Sequence, residues 1–510
     1  MEGKFLSDRA ERKQRMFSNA FSVILCALIL MMAAGRPDCL WASKAATLKT
    51  ENNVARTGVQ ADSAEDAEGD GLIDDLLSEA AFVDDTRLSA MPNANHLPVR
   101  YEGELLTSIW APNAYDDRWY TSDRLDLKGW AQVGDFDIAG RFKIDYQNIE
   151  SSGKTRADVR ELYAGYPVWA GSGRRIDVAV GKKMIYWGKG DEVRPIDRVS
   201  AQDLTAFYFY DLNERKTGRL GAFVDINLGR DVRFEGFWSP YFEASDTPGL
   251  GDYFEPVLLR KLADSGIAVG NADEPDEWSS DAGLGGRFMF SVLKADIAFY
   301  AFQGFDPNPT YVLTQLVGDP VYTLPIIPRS MAANHPRITL YGADIERTLG
   351  PVVLRAEAAY QSDGALFAVE WAQDPMLLLT DPRGVVEKRQ LQYVFGMDKN
   401  DLFIRNLFFN FQFLGSHIVD HDPQMAVSQS QTGVTALLRY AFLDSKASVW
   451  YRLIVLFDSH DQRHHLEMAY KPLPWAQVAL GGICYEGKDA STFGQYDDRD
   501  MLYGKVKLIF

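Results

Sequence analysis

Phe136-Asp137-Ile138-Ala139-Gly140-Arg141-Phe142-Lys143-Ile144-Asp145-Tyr146 changes character at every residue. Phe136, Ile138, Gly140, Phe142, Ile144 and Tyr146 fall on one face of an extended chain. Asp137, Ala139, Arg141, Lys143 and Asp145 fall on the other. A period of two is the signature of a β-strand with unlike faces. A strand of a soluble sandwich alternates too. Here, however, the polar face is charged along its length, and the layout recurs to the end of the chain.

Leu125, Leu127, Gly129, Ala131 and Val133 oppose Asp126, Lys128 and Gln132. Val232, Phe234, Gly236 and Trp238 oppose Arg233 and Glu235, and Leu293, Ala295, Ile297 and Phe299 oppose Lys294 and Asp296. Val352, Leu354, Ala356 and Ala358 oppose Arg355 and Glu357. Short turns such as Gly134-Asp135, Gly229-Arg230-Asp231 and Leu349-Gly350 alternate with mostly longer connections near 185–217, 239–281, 303–336, 361–388 and 414–433. The last strand runs Gly504, Val506, Leu508 and Phe510 against Tyr503, Lys505, Lys507 and Ile509. These features predict an all-β chain: one closed antiparallel transmembrane barrel of about 18 strands (16–18), with short periplasmic turns and long extracellular loops. A terminal aromatic resembles the signal read by the barrel assembly machinery. That machinery and outer-membrane lipid are the expected partners, with a periplasmic or inner-membrane transport partner as a further one.

The chain has 510 residues and a formal charge of −18. Lys4, Arg9, Arg12, Lys13 and Arg15 precede an apolar run from Phe21 to Ala34, and Ser43-Lys44-Ala45 offers small residues for cleavage. Residues 1–45 therefore read as a signal peptide, with a retained anchor as the alternative, and the expected location is the outer membrane of a Gram-negative bacterium. Cys26 and Cys39 lie in that segment, which leaves Cys484 alone afterwards and no intramolecular disulfide. Residues 1–45 carry seven Lys/Arg and four Asp/Glu, so the remainder is near −21. That charge argues against a nucleic-acid partner, which needs a basic surface. Residues 46–98 are acidic and poor in aromatics, and read as a largely disordered periplasmic segment, with a plug as the sharper alternative. The barrel is expected over 99–510.

Alternation stops in Gly181-Lys182-Lys183-Met184-Ile185-Tyr186-Trp187-Gly188-Lys189-Gly190-Asp191 and onward through Arg194, Asp197, Arg198 and Asp203-Leu204. Trp187, Lys189, Asp191, Arg194, Asp197, Arg198 and Asp203 are the candidates for a pore constriction; a loop folded inward and pinned by its own Arg–Asp pairs is the structural alternative. Arg141, Lys143, Asp145, Arg233, Glu235, Lys294, Asp296, Arg355 and Glu357 are expected to line the lumen. The segment resembles a poorly characterised family of Gram-negative outer-membrane barrels related to the alginate-export type. In that family a strand ending in Gly-Lys/Arg leads into Trp-Gly-x-x-Asp and then Asp-Leu. Trp187-Gly188, Asp191, Asp197 and Asp203-Leu204 carry the likeness. It implies a monomeric barrel that passes or exports a bulky molecule. The expected lumen charges are of both signs, which departs from a lining for a polyanion such as alginate.

Two long connections are unexpectedly apolar. One holds Tyr311-Val312-Leu313, Leu316-Val317, Val321-Tyr322 and Leu324 to Pro328; the other holds Leu366-Phe367, Trp371 and Met376 to Leu379. They predict either a greasy vestibule for a hydrophobic solute or a self-packed lid. No Gly-x-Ser-x-Gly elbow, Walker motif or dinucleotide fingerprint is present, so neither an enzyme nor a cofactor is expected. His417, Asp420, His421 and Asp422 lack a known metal-ligand spacing, so no metal is expected either. The function these readings favour is a porin-like or export channel for a hydrophobic or bulky solute. A structural or surface-interaction barrel is the alternative, and a membrane hydrolase a third.

Overall fold

The computed structural model describes residues 99–112, 120–148, 154–171, 173–207, 209–229, 231–276, 278, 280–318, 326–489 and 491–510. The segments 1–45 and 46–98, and Val321, Tyr322, Leu324 and Pro325, lie outside the described residues. What is described belongs to the unit Asp70–Phe510.

The strands are β1 (Val99–Pro112), β2 (Tyr120–Val133), β3 (Phe136–Asn148), β4 (Lys154–Gly171), β5 (Arg174–Lys183), β6 (Arg219–Asn227) and β7 (Val232–Ser239). There follow β8 (Ala268–Val269), β9 (Gly283–Val292), β10 (Ala295–Phe305), β11 (Thr310–Val317), β12 (Ile327–Asn334), β13 (Arg337–Leu349) and β14 (Val352–Ala368). The last are β15 (Val385–Lys399), β16 (Leu407–Val419), β17 (Ser430–Phe442), β18 (Ala447–Leu456), β19 (Asp461–Leu473), β20 (Ala476–Glu486) and β21 (Met501–Ile509). All but β8, β11 and β12 form one 18-stranded sheet, and each strand pairs with its neighbours in the chain once those three are set aside. The sheet closes where β1 pairs antiparallel with β21, from Glu104 opposite Ile509 to Pro112 opposite Met501. Closure leaves no unpaired edge, which is the condition for a sheet to sit in hydrocarbon.

The segment that opened the reading shows which way the sheet faces. On β3, Phe136 is 50% exposed and Phe142 45%, whereas Lys143 is 2% and Asp145 4% exposed. This inverts the soluble pattern, in which ionic groups are almost never buried and large apolar ones usually are. The outer wall continues through Val180, Phe299, Tyr341, Phe395, Leu480 and Leu502, all exposed. Charge lies inside because a charged side chain facing lipid is costly, whereas water and partner charges within the barrel solvate it.

One rim carries the connections 134–135, 172–173, 228–231, 293–294, 350–351, 400–406, 443–446 and 474–475. The other carries 184–218, 240–282, 306–336, 369–384, 420–429 and 487–500, together with the short 457–460. The loop after β14 is shorter than the alternation suggested. β14 runs on to Ala368 after a bulge between Gln361 and Ala365, and β15 starts at Val385. A bulge adds residues to one strand only and so breaks the period of two that marks strands in sequence. Lys294 does not stand on the wall: with Leu293 it makes the turn between β9 and β10, at φ 62°, and Asp296 beside it is exposed at that rim.

The apolar loops meet one another. β11 and β12 form a hairpin, and β8 adds to it in parallel. Leu313 and Met331 from the hairpin, Leu259 from helix α2 (Val257–Asp264; α1 is Leu212–Arg215) and Leu378 from helix α3 (Leu377–Thr380) share one buried cluster. Trp371, Tyr311, Leu316 and Ile326 pack against it. Part of the apolar runs is thus buried against each other, as in the lid reading, while Val317, Ile327, Met376 and Leu379 stay exposed.

Candidate functional site

Between β5 and β6 the chain turns into the barrel and crosses it. Met184, Trp187, Ile196, Val199, Ala206, Phe209 and Tyr210 of this connection are all buried. Trp187 leads: its ring lies 5.7 Å from Phe237 on β7 and 5.2 Å from Tyr300 on β10. Next to it Glu357, projecting inward from β14, accepts three backbone N–H groups. Lys189 donates at 2.8 Å, Gly190 at 3.1 Å and Ile196 at 2.8 Å. The loop can approach so closely because residue 188 is glycine. Its φ is 82°, and a Cβ there would stand 2.6 Å from a Glu357 carboxylate oxygen.

Further along, the loop grips strands all round the wall. Asp191 accepts from Asn410 and from Gln412, the latter at 3.1 Å, and lies 3.7 Å from Arg355. Arg355 itself is shared with Glu346 at 2.8 Å and with Asp398. Glu192 pairs with Arg452 on β18 at 2.8 Å, and Lys189 is 3.8 Å from Glu346. Arg198 reaches Asp306 at 3.0 Å and Gln361 at 3.1 Å. Asp203 joins Lys143 of β3 and Arg160 of β4, each at 3.0 Å. Phe209 packs on Trp110 of β1 and Tyr503 of β21, and the Tyr210 hydroxyl meets Ser122 of β2 at 3.0 Å.

The internal Arg–Asp pairing expected of this loop is not its design. Arg194 donates to the carbonyl of Gly190, and Asp197 takes the fully buried Lys216, with 2.6 Å between Nζ and Oδ1. Arg198 and the other loop carboxylates look outward to the wall. Asp191, Glu192 and Asp203 each meet a cation on a strand, whereas Asp197 takes Lys216 from the loop itself. Of the residues expected to line the lumen, Arg141 chelates Asp126 on the neighbouring strand, and Arg233 bridges Asp225 and Glu235. Lys143 lies between Asp145 at 2.7 Å and Asp203.

These surroundings set the charge states of the loop. Burial lowers the Lys216 ammonium to about 8, with Asp197 acting against the fall. Burial also disfavours an ionised Asp203, but Lys143, Thr205 and Arg160 together outweigh it and hold this carboxyl below the usual range. Asp191 goes the other way. Burial, helped by Asp398 and opposed by Arg355, pushes it from 3.8 up to about 6. A carboxyl raised in the fold favours the folded state at low pH and loses that contribution as the pH rises from about 4 through about 6. Asp191→Asn is therefore expected to flatten the stability profile over that window. Chemical denaturation of both proteins at several pH values measures it, and parallel profiles would contradict the assignment.

Among the described residues the crossing borders several water-accessible spaces. One of about 90 Å³ lies between Asp191, Glu192 and Arg194 of the loop and Arg355, Asn410 and Arg452 of the wall. A second, of about 410 Å³, opens beneath Tyr186 and Trp187 toward the turn rim and carries Arg175, Asp177, Asp225, Arg233 and Glu235. A third, of about 130 Å³, opens toward the same rim on the far side of the loop. Glu192, Arg160 and Lys216 were not among the candidates read from the sequence. Glu192 follows Asp191 directly and was within reach of the same reading; the other two are ordinary strand or loop positions whose role depends on what lies across the lumen.

Residues 107–469 match a family described as protein of unknown function, DUF1302. The chain belongs to this family. No curated protein matches it in sequence. Solved structures similar to this DUF1302 barrel include OccAB1 of Acinetobacter baumannii, at 7% identity and a TM-score of 0.48, covering 83% of this chain and 98% of that one. Pseudomonas aeruginosa OccK5 (OpdH) aligns at 10% identity and a TM-score of 0.44, over 81% and 96% of the two chains. OmpF of Salmonella typhi, solved in complex with daunomycin, aligns at 11% identity and a TM-score of 0.39, over 81% and 97%. The histidines of the DUF1302 chain that sit in loop-rim positions have local partners: His417 faces Ser430, and His421 faces the carbonyl of Val427.

Proposed function

We propose that the chain is a channel of a Gram-negative outer membrane, with the 184–218 segment as its constriction. The observation that carries this reading is the inversion of the wall around an infolded loop. Apolar side chains face out, ionic ones face in, and the loop narrows the lumen with carboxylates and guanidinium groups of both signs. Trp187, Lys189, Asp191, Arg194, Asp197, Arg198 and Asp203 form or brace that narrowing in this reading. The bulky cargo implied by the likeness to alginate-export barrels would need the loop to yield. A hydrophobic cargo has less support, since Leu313, Leu378 and Trp371, among the apolar loop residues that suggested it, pack on each other. The density of loop-to-wall contacts favours a second reading, a closed structural or surface-interaction barrel. Reconstitution of the purified chain into a planar bilayer decides between channel and closed barrel. Discrete single-channel steps are expected, and folded protein without current would overturn the channel.

A further inference from the structure

The third space in the lumen has an uneven charge. Its wall carries Arg439, Lys446, Arg452, Lys471, Lys505 and Lys507, contributed by β17, β18, β19, β21 and the turn at 443–446. Against these six cations stand Asp211, Glu214 and Glu467. This excess of positive charge occurs in a chain whose net charge is −18. The opposite space beneath Trp187 is balanced: Arg175, Lys183, Arg233 and Arg287 face Asp137, Asp177, Asp225 and Glu235.

Several of the cations are already engaged. Arg452 serves Glu192 and Asp211, Lys505 lies 3.1 Å from Glu467, and Lys507 lies 3.1 Å from Glu104. Lys446 and Lys471 have no carboxylate within ion-pair distance among the described residues. They are neighbours at the rim, where the Lys471 N–H donates to the Lys446 carbonyl at 2.7 Å. Deeper in, Trp450 stacks edge-on against His465 at 4.4 Å, and Phe209 lies under the Lys505 ammonium at 4.6 Å. An entrance with excess charge of one sign, set between low-dielectric walls, focuses the field and concentrates counter-ions.

We propose that this turn-side vestibule is an anion-binding entrance, with Lys446 and Lys471 as the first contacts for a carboxylate-, phosphate- or sulfonate-bearing solute. The inference rests on the channel reading above and names the class of solute that the same lumen takes. An anion arriving at the rim meets the two lysines, then the ladder of Lys507, Lys505 and Arg452 leading to the loop.

Two measurements test it on the full-length protein in its mature form. In a planar bilayer under a potassium chloride gradient, the wild-type reversal potential is expected on the chloride side. K446E/K471E is expected to lower the chloride-to-potassium permeability ratio severalfold. A cation-selective wild type, or a ratio unmoved by the double substitution, overturns the inference while the current itself upholds the channel. If no current flows, the channel reading falls and binding decides the vestibule separately. Inorganic pyrophosphate is titrated into the detergent-solubilised barrel at low salt. Binding that is lost in K446E/K471E and kept in K294E, whose lysine lies in another turn, supports the site. Absent binding, or equal loss in both variants, overturns it.

Discussion

Glu357→Ala is expected to release the infolded loop and leave the barrel standing. The carboxylate of Glu357 accepts three backbone N–H groups from the loop, at 2.8, 3.1 and 2.8 Å. Hydrogen bonds to a charged group contribute about 1.5–3 kcal/mol each. The three share one acceptor and are not additive, so a loss on the order of 3 kcal/mol is a fair expectation for the loop's hold on the wall. Arg355, the nearest charged neighbour on β14, cannot replace it, because a guanidinium donates and has no acceptor for the loop N–H groups. The stiff connection should then exchange with open states. Trypsin is expected to cut after Lys189 or Arg198 in the variant and to spare the folded wild type. If the barrel conducts, its current should rise and become noisier. Glu357→Gln keeps one acceptor oxygen and should fall between the two. Equal resistance of all three proteins to trypsin would show that the loop is held by its other contacts alone.

The second large effect lies on the opposite side of the wall. Phe299 stands in the middle of β10, outward and 52% exposed, between the inward neighbours Ala298 and Tyr300. An arginine placed at the lipid midplane of such a barrel costs roughly 2–4 kcal/mol. Phe299→Arg should therefore lower stability in lipid vesicles by that amount, measured by denaturant unfolding. The comparison is Leu437→Glu on β17, whose side chain faces the vestibule beside Arg439 and Arg452. There water and guanidinium groups meet the new carboxylate, and little stability should be lost. Equal costs for the two substitutions would contradict the assignment of faces.

Much of this was legible along the chain. In Phe136–Tyr146 the alternation named both the strand and its faces, since successive side chains of an extended chain must point to opposite sides. Turn residues such as Gly134-Asp135 marked where one strand gives way to the next. The loss of period after Gly181 marked the loop that matters. The extent of β14 was not legible, because the bulge after Gln361 shifts the register while the residues still look like a polar connection. Lys294 was placed on the wall because the alternation was run two residues too far, into a turn with positive φ. Leu313 and Leu378, from the two apolar stretches, announced burial without saying against what, and the answer was one shared cluster.

Local spacing alone determined the strands and their two faces, because strand geometry repeats every second residue and needs no distant partner to be read. The tertiary structure decided what holds the loop across the lumen. Ile196 and Glu357 are 161 residues apart, and Asp191 and Asn410 are 219 apart. Such pairs meet only because ring closure brings the inner faces of remote strands around one volume. Which carboxylate finds which cation there depends on distances across water and backbone that no periodicity along the chain encodes.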